Sequence, residues 1–171
     1  MLIAPAVHGD DRGFLQEIYR RSAFAELGIV EDFVQRNHSR SRRGVVRGMH
    51  FQPGMAKLVR CVRGAILDVL VDVRPGSPTL GSWERFELSD ENHLQLYCPN
   101  GFAHGFCALS ELADVIYDCS DYYDPARERG FSHRDPEVGI EWPMGITLEA
   151  SERDRVAPPL RALGLEAEGR P

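Results

Sequence analysis

The feature that most constrains the fold of this chain is a succession of short β-rich runs separated by turn residues. About nine runs can be recognised, and they are 13–19, 33–37, 45–51, 57–62, 65–73, 83–88, 95–98, 105–108 and 113–119. Glycine, proline and asparagine fall between them and favour tight turns, for example at 74–78 and 99–101. Short strands in such close succession predict an antiparallel all-β sandwich or barrel.

Chain length predicts a single domain over 1–171, because 171 residues are the size of one ordinary globular domain. Helix signals are weak and predict only two short peripheral helices, at 22–27 and at 151–155, the second with Ser151 as its N-cap. Pro158 and Pro159 precede the C-terminal end, and we expect the stretch of about 161–171 to be mobile.

Composition narrows the possible partners and location. The net charge of −6 argues against nucleic-acid or anionic-membrane binding. The four cysteines form no CxxC motif and are expected to be buried and reduced. We find no secretion signal and no long apolar run, so the sequence predicts a cytoplasmic protein that does not span a membrane.

The run 65–73 is apolar apart from two carboxylates, Asp68 and Asp72. A carboxylate inside an apolar strand either faces solvent or pairs within a cavity. We expect Asp72, near the end of the strand, to face solvent. For Asp68 both interpretations stay open.

A basic, polar stretch at 35–52 holds five arginines within 12 positions. We expect Arg40, Arg42 and Arg43 to lie in an exposed loop, since the stretch lacks the interleaved aromatic residues of a nucleic-acid patch. Gln35 and Asn37 have the same parity and share one strand face. Arg47 and His50 have opposite parity, so both can face one cavity only if Gly48 permits a β-bulge.

Two motifs are typical of a cupin barrel, but the pair lacks part of a metal site. Residues 99–104 follow the pattern Pro-x-Gly-x-x-His, which ends at His104. A metal cupin also needs His-x-His, and here the matching stretch is His50-Phe51-Gln52. A neutral glutamine is a poor ligand for a transition ion, so we predict no metal. The sequence has no GxGxxG motif after a strand, so we predict no redox cofactor and therefore no cofactor at all.

Without a metal, side chains must supply the acid, the base and the stabiliser of negative charge. His50 titrates near neutrality and can act as a base, with Asp154 as a candidate partner behind it. Lys57, the only lysine in the chain, can stabilise an oxyanion. Tyr117 can return a proton, although a tyrosine in a strand also often packs in a core. The residues alone do not show that these four groups converge.

The chain resembles the dTDP-4-dehydrorhamnose 3,5-epimerase family. The resembling stretches follow the family's order and are 11–17, 35–52, 57–60, 99–106, 121–123, 128–130, 135–143 and 151–154. The most specific is Arg47-Gly48-Met49-His50-Phe51-Gln52, against Arg-Gly-Leu-His-Phe-Gln in the family. The resemblance implies a cupin-type antiparallel jelly-roll barrel and a homodimer, with an N-terminal strand that is short or missing here. Asp118 stands where the family often has lysine.

The resemblance also implies roles for individual residues. His50 matches the general base, Asp154 its dyad partner, Tyr117 the acid on the opposite face, and Lys57 the lysine near the C4 oxygen. Arg47 and His104 match residues that line the sugar and diphosphate region. The residues that match the nucleotide site are Arg12, Phe14, Glu17, Gln35, Asn37, Tyr123 and Glu128. Tyr123 is expected to stack on thymine, and Arg12 to reach the partner's site.

The function implied by the resemblance is that of an isomerase, which inverts C3 and C5 of dTDP-4-dehydro-6-deoxy-D-glucose through an enolate and forms dTDP-4-dehydro-L-rhamnose. Three alternatives stay open. One is an epimerase of a single centre, acting on a modified deoxysugar. The second is a nucleotide-sugar-binding module without catalysis. The third is a metal cupin oxygenase, which Gln52 disfavours.

Overall fold

The computed structural model describes residues 1–165, which form short strands and very few helices. The strands are β1 Leu2–Ile3, β2 Val7–Asp10, β3 Gly13–Gln16, β4 Gln35–Arg42, β5 Val45–Phe51, β6 Lys57–Arg63, β7 Ala65–Asp72, β8 Trp83–Ser89, β9 Gln95–Cys98, β10 Phe102–Ala108, β11 Leu112–Cys119, β12 Arg129–Gly130 and β13 Glu149–Ala150. The helices are α1 Arg21–Glu26, α2 Glu152–Arg155 and a 3-10 helix Leu160–Leu163. The all-β prediction and both predicted short helices are confirmed.

Two sheets carry the architecture. A five-stranded sheet has the order β1-β9-β6-β11-β4, and a six-stranded sheet has the order β12-β5-β10-β7-β8. These pairings are antiparallel, and the short β13 adds a parallel pairing to β5. Strands β2 and β3 form a separate hairpin that pairs with neither sheet among residues 1–165.

The core explains why the strand β7 is apolar on both faces. One cluster lies between the two sheets and includes Val59, Leu70, Phe106 and Val115. A second cluster covers the other face of the six-stranded sheet, where Phe131 and the C-terminal segment pack on β5 and β7. Since both faces of β7 are buried, its carboxylates must find partners inside the protein.

Asp72 is therefore not exposed, and the prediction that it faces solvent is wrong. Its side chain is 2% exposed and accepts hydrogen bonds from Arg74, Ser77 and Thr79. The hydrogen bonds from Arg74 and the two hydroxyls hold the pKa of Asp72 far below its usual value, although burial opposes this. The carboxylate thus organises the turn that follows β7.

The predicted loop at Arg40 and Arg42 is wrong, because β4 continues through both residues, although both are exposed as predicted. Their backbone pairs with β11, and the Arg40 guanidinium binds Asp114 with two hydrogen bonds. Arg43 does lie in an exposed turn. The polar stretch is thus a strand, because its backbone pairs with β11 and the Arg40 side chain binds the acidic Asp114.

Three smaller predictions concern the C-terminal end, the cysteines and the absence of a membrane-spanning segment. Of the stretch 161–171 predicted to be mobile, residues 161–165 include part of the 3-10 helix and Leu165, which packs into the second core cluster; 166–171 lie outside the described residues. All four cysteines are buried and free. Within residues 1–165, no helix is long and apolar enough to cross a membrane.

Candidate active site

Two adjoining cavities open between the sheets. The larger has a volume of about 470 Å³, and the smaller about 270 Å³. Lys57, Tyr117 and Glu128 line both, so the two cavities form one elongated cleft. The other predicted residues in the larger cavity are Arg47, His50, His104 and Asp154, and those in the smaller are Gln35, Asn37 and Tyr123. The structure thus brings ten of the predicted residues together.

A bulge at Gly48 lets both Arg47 and His50 line the larger cavity, as the opposite parity of these residues required. His104 lies opposite His50 and Phe106 opposite Arg47, so β5 carries one residue more than β10 over this stretch. Gly48 has φ of 136°, and a Cβ there would come within 2.6 Å of the Gly105 Cα. Only glycine fits this conformation and this close approach.

His50 and Asp154 form a hydrogen-bonded pair, with 2.7 Å between Nε2 and Oδ1. The His50 side chain is 25% exposed to the cavity, whereas the Asp154 side chain is 6% exposed. Burial opposes the charge on Asp154, but hydrogen bonds from His50, Ser151 and the Gly48 backbone outweigh it and lower the pKa. Ser151 caps helix α2 as predicted, so the cap also places Asp154 behind the imidazole.

A second pair, His104 with Asp68, lies next to the first. Nε2 of His104 is 2.8 Å from one Asp68 oxygen and 3.0 Å from the other. Asp68 is completely buried and His104 is 7% exposed. The isolated carboxylate in an apolar strand was the sequence signal for this pair, and of its two interpretations the structure supports pairing at a cavity.

Lys57 and Tyr117 come from the neighbouring strands β6 and β11. Burial raises the pKa of the Tyr117 phenol, while a hydrogen bond from Asn37 opposes that rise. Lys57 lies directly opposite Cys119 on one side and Cys98 on the other. A single ammonium therefore stands between two buried thiols, beside the phenol.

The smaller cavity is ordered by hydrogen bonds among its polar residues. The Tyr123 hydroxyl donates to Glu128, and Arg153 forms an ion pair with the same carboxylate at 2.6 Å.

The sequence did not identify three residues that line the larger cavity: Arg153, Ser39 and Phe106. An arginine in a short exposed helix carries no signal that distinguishes it from a surface arginine.

Gln52 occupies the position where a metal cupin needs an imidazole, and its amide is already engaged. Its Nε2 donates to the Tyr122 carbonyl and its Oε1 accepts from the Asp124 backbone. Gln52 thus holds the loop that carries Tyr123. Within the described part of the chain, no three His, Cys, Asp or Glu side chains cluster as metal ligands.

Three predicted nucleotide-site residues, Arg12, Phe14 and Glu17, line neither cavity. Arg12 and Phe14 lie on the β2–β3 hairpin, and their exposure is high: 90% for the Arg12 side chain and 60% for Phe14. Phe14 packs against His93 at 4.7 Å, and Glu17 forms an ion pair with Arg20. One chain therefore does not bring these residues to its own cleft.

Comparison with known proteins decides the family. The family model for dTDP-4-dehydrorhamnose 3,5-epimerase matches residues 1–162. The chain belongs to the dTDP-4-dehydrorhamnose 3,5-epimerase family. The family member of that name from Salmonella typhimurium is 47% identical over 162 residues, which cover 92% of this chain and 88% of the relative.

Two further relatives show the range of the family. A solved 3,5-epimerase from Legionella pneumophila, in complex with dTDP-4-keto-L-rhamnose, superposes with a TM-score of 0.92 at 42% identity, covering 99% of this chain and 93% of that one. A dTDP-4-dehydrorhamnose 3-epimerase from Streptomyces niveus is 47% identical, covering 91% of this chain and 76% of the relative. The predicted family and its cupin-type jelly roll are confirmed.

Proposed function

We propose that this epimerase-family chain inverts C3 and C5 of dTDP-4-dehydro-6-deoxy-D-glucose to give dTDP-4-dehydro-L-rhamnose. The observation that carries the proposal is the convergence of the His50–Asp154 pair, Lys57 and Tyr117 on one cleft. That cleft continues into a polar cavity suited to the nucleotide. The chain is an isomerase, as its relatives are.

The reaction begins with removal of a proton next to the C4 ketone. Such a proton is acidic only because the carbanion is delocalised onto the C4 oxygen as an enolate. His50 takes the proton at the ring nitrogen that Asp154 does not engage. The charged Asp154 stabilises the imidazolium that results and holds the ring in place.

Lys57 and Tyr117 complete the inversion. The Lys57 ammonium stabilises the negative charge on the C4 oxygen, which is the same atom in both enolates. Tyr117 gives a proton to the carbon from the face opposite His50. Its phenol is protonated near neutral pH, since a tyrosine pKa is ordinarily 10.0 and burial raises that of Tyr117. Each centre is thus deprotonated on one face and reprotonated on the other.

The remaining residues of the cleft bind the substrate. Arg47 and His104 border the larger cavity and suit the sugar and diphosphate, with the Arg47 guanidinium oriented by Ser41. Tyr123 stacks on thymine, while Gln35, Asn37 and Glu128 offer polar groups to the nucleoside.

We further propose a homodimer in which the β2–β3 hairpin reaches the partner's cleft. A lone two-stranded hairpin is marginally stable in water. This one exposes Phe14 and Leu15, at 60% and 75%, and places Arg12 beside them. Arg12, Phe14 and Glu17 would then bind the nucleotide of the partner. With buried free cysteines, we place the dimer in the cytoplasm.

Subunit complementation tests the shared site. Arg12→Ala and His50→Ala each disable one half of every site in a homodimer. When the two variants are mixed and exchange subunits, half of the sites in each mixed dimer regain both residues. We expect about a quarter of wild-type activity to return. Mixed subunits that stay inactive, or a protein that sediments as a monomer, would contradict the shared site.

Proton NMR of the substrate with enzyme in deuterated water tests the reaction itself. Deuterium should enter at both C3 and C5, and product should form. Exchange at one centre alone would show a single-centre epimerase, as the name of the Streptomyces niveus relative states for that protein. Binding without exchange would show a nucleotide-sugar-binding module. Activity that is lost with a chelator and restored by a transition metal would favour the metal cupin.

A further inference from the structure

A directed chain of hydrogen bonds crosses the smaller cavity. The Tyr123 backbone N–H donates to Gln35 Oε1 at 2.9 Å, and Gln35 Nε2 donates to Asn37 Oδ1 at 3.2 Å. Asn37 Nδ2 then donates to the Cys119 sulfur at 3.7 Å. A backbone N–H can only donate, so the side-chain amides of Gln35 and Asn37 each have one orientation that satisfies this series of hydrogen bonds.

This series of hydrogen bonds ends beside two groups of the proposed reaction, Tyr117 and Lys57. Asn37 is the direct cross-strand neighbour of Tyr117, and Cys119 is the direct cross-strand neighbour of Lys57. Directly opposed residues of antiparallel strands project to the same face, with their Cβ atoms about 4.5–5.5 Å apart. Cys119 is therefore next to the reacting groups, although the reaction as proposed gives it no part.

Cys119 is suited to accept a hydrogen bond from the Asn37 amide and unsuited to act as a nucleophile. Cys119 is only 2% exposed to solvent. Burial raises the pKa of the Cys119 thiol, and Lys57 offsets only part of that rise. The neutral sulfur is a weak acceptor that holds the Asn37 NH2 group without placing a negative charge beside Lys57.

The orientation of the Asn37 amide matters to Tyr117. With its NH2 group toward the phenol, Asn37 donates to the Tyr117 oxygen and leaves the phenol proton free for the substrate. With its oxygen toward the phenol, it would accept that proton and compete with the carbon for it. A group that selects the first orientation therefore favours reprotonation.

We propose that Cys119 is a positioning residue for the reprotonation step, acting on Tyr117 through the amide of Asn37. The inference rests on the proposed function, in which Tyr117 is the acid. Gln35 selects the amide orientation by donating to Asn37 Oδ1, and Cys119 stabilises it by accepting from the NH2 group. Loss of the sulfur releases one end and lowers proton delivery while His50 continues to remove protons.

The test compares two products in deuterated water: epimer formed, and deuterium in recovered substrate. In Cys119→Ala, the ratio of inversion to exchange should fall about threefold to tenfold, the usual weight of one hydrogen bond. Cys119→Ser keeps an acceptor and should recover most of the ratio. Cys119→Val removes the acceptor while filling the volume, so it decides the question if the alanine variant does not fold.

Two reference variants give the largest and the smallest change expected in this ratio. Tyr117→Phe should show the largest fall in the ratio. Cys107→Ala removes an equally buried thiol that lines neither cavity and should leave the ratio at the wild-type value. A loss of stability alone lowers inversion and exchange together and does not move their ratio.

The outcomes separate this inference from the proposed function. An unchanged ratio in the alanine and valine variants overturns the role of Cys119, as does a serine variant that falls as far as alanine. An equal fall in Cys107→Ala overturns it as well. Wild-type enzyme that exchanges no deuterium overturns the proposed function instead.

Discussion

Two histidine–carboxylate pairs lie side by side at the cleft, and they differ in burial rather than in chemistry. His50 on β5 and His104 on β10 are direct cross-strand neighbours, and each is bonded to a carboxylate. The His50 side chain is 25% exposed, whereas His104 is 7% exposed and Asp68 is wholly buried. Asp154 comes from a short helix of the C-terminal segment, and Asp68 from the centre of a strand.

The comparison shows that a hydrogen-bonded pair alone does not identify a base. A base must meet the substrate and exchange its proton with the surroundings, which the more exposed His50 can do. His104 is held by a carboxylate whose own burial makes any change of charge costly. We therefore expect the first pair to govern proton transfer and the second to govern folding and the shape of the cleft.

The largest effect is expected for His50→Ala. Removing the base should slow deuterium exchange at C3 and C5 by about 10²–10⁴-fold while the protein remains folded. His38→Ala, on the outer face of β4, is the control and should exchange at the wild-type rate. Exchange at an unchanged rate in His50→Ala would reverse our assignment of the two pairs.

Asp154→Asn should have a smaller effect than loss of the base. It removes a charge-assisted hydrogen bond to the imidazole, which corresponds to a loss of about 10-fold to 100-fold in exchange rate. Because the two residues act as a unit, the double variant should be no slower than His50→Ala. Additive losses would show that Asp154 acts independently of His50.

Asp68→Asn should affect stability more than exchange. The substitution leaves His104 with a weaker partner in a dry site, at a cost of about 1–3 kcal/mol in the free energy of unfolding. Chemical denaturation of this variant beside Asp154→Asn measures the difference. A stable Asp68→Asn protein with an exchange rate as low as that of Asp154→Asn would make the two pairs functionally equivalent.

The smallest effect on catalysis is expected outside the cleft, at Asp114. Hydrogen bonds from Arg40 lower its pKa from 3.8 to about 2, although burial opposes this. A lowered pKa stabilises the folded state above pH 3.8, and that contribution disappears as the pH falls through about 2. Asp114→Asn should therefore be less stable than wild type at pH 7, and the difference should shrink below pH 3.8.

Measurement of unfolding at pH 7 and at pH values below 3.8 checks this prediction, with deuterium exchange as the second readout. The exchange rate should stay at the wild-type value, because Arg40 and Asp114 line neither cavity. A stability difference that persists unchanged into acid would show that the ion pair is not its source.

Local sequence patterns predicted most strands of the two sheets, whereas the roles of the site residues came from the resemblance to the family. Alternation and turn residues predicted β5 and β9 to the residue, and Ser151 predicted the start of helix α2. The opposite parity of Arg47 and His50 made a bulge at Gly48 the condition for both to face one cavity, and the structure has that bulge. These features depend on neighbours within a few residues, which is the range over which side-chain periodicity and capping act.

Tertiary structure decided which polar groups are partners. Arg40 lies in a strand because Asp114, far along the chain, stands opposite it in the register of β4 and β11. Asp72 is buried because it shares with Leu70 the face of β7 that packs toward the other sheet. Cys119 neighbours Lys57 because two strands pair, and no local pattern encodes that pairing. Burial and register arise only when distant segments pack together, since a lone segment has neither a second face to cover nor a partner to pair with.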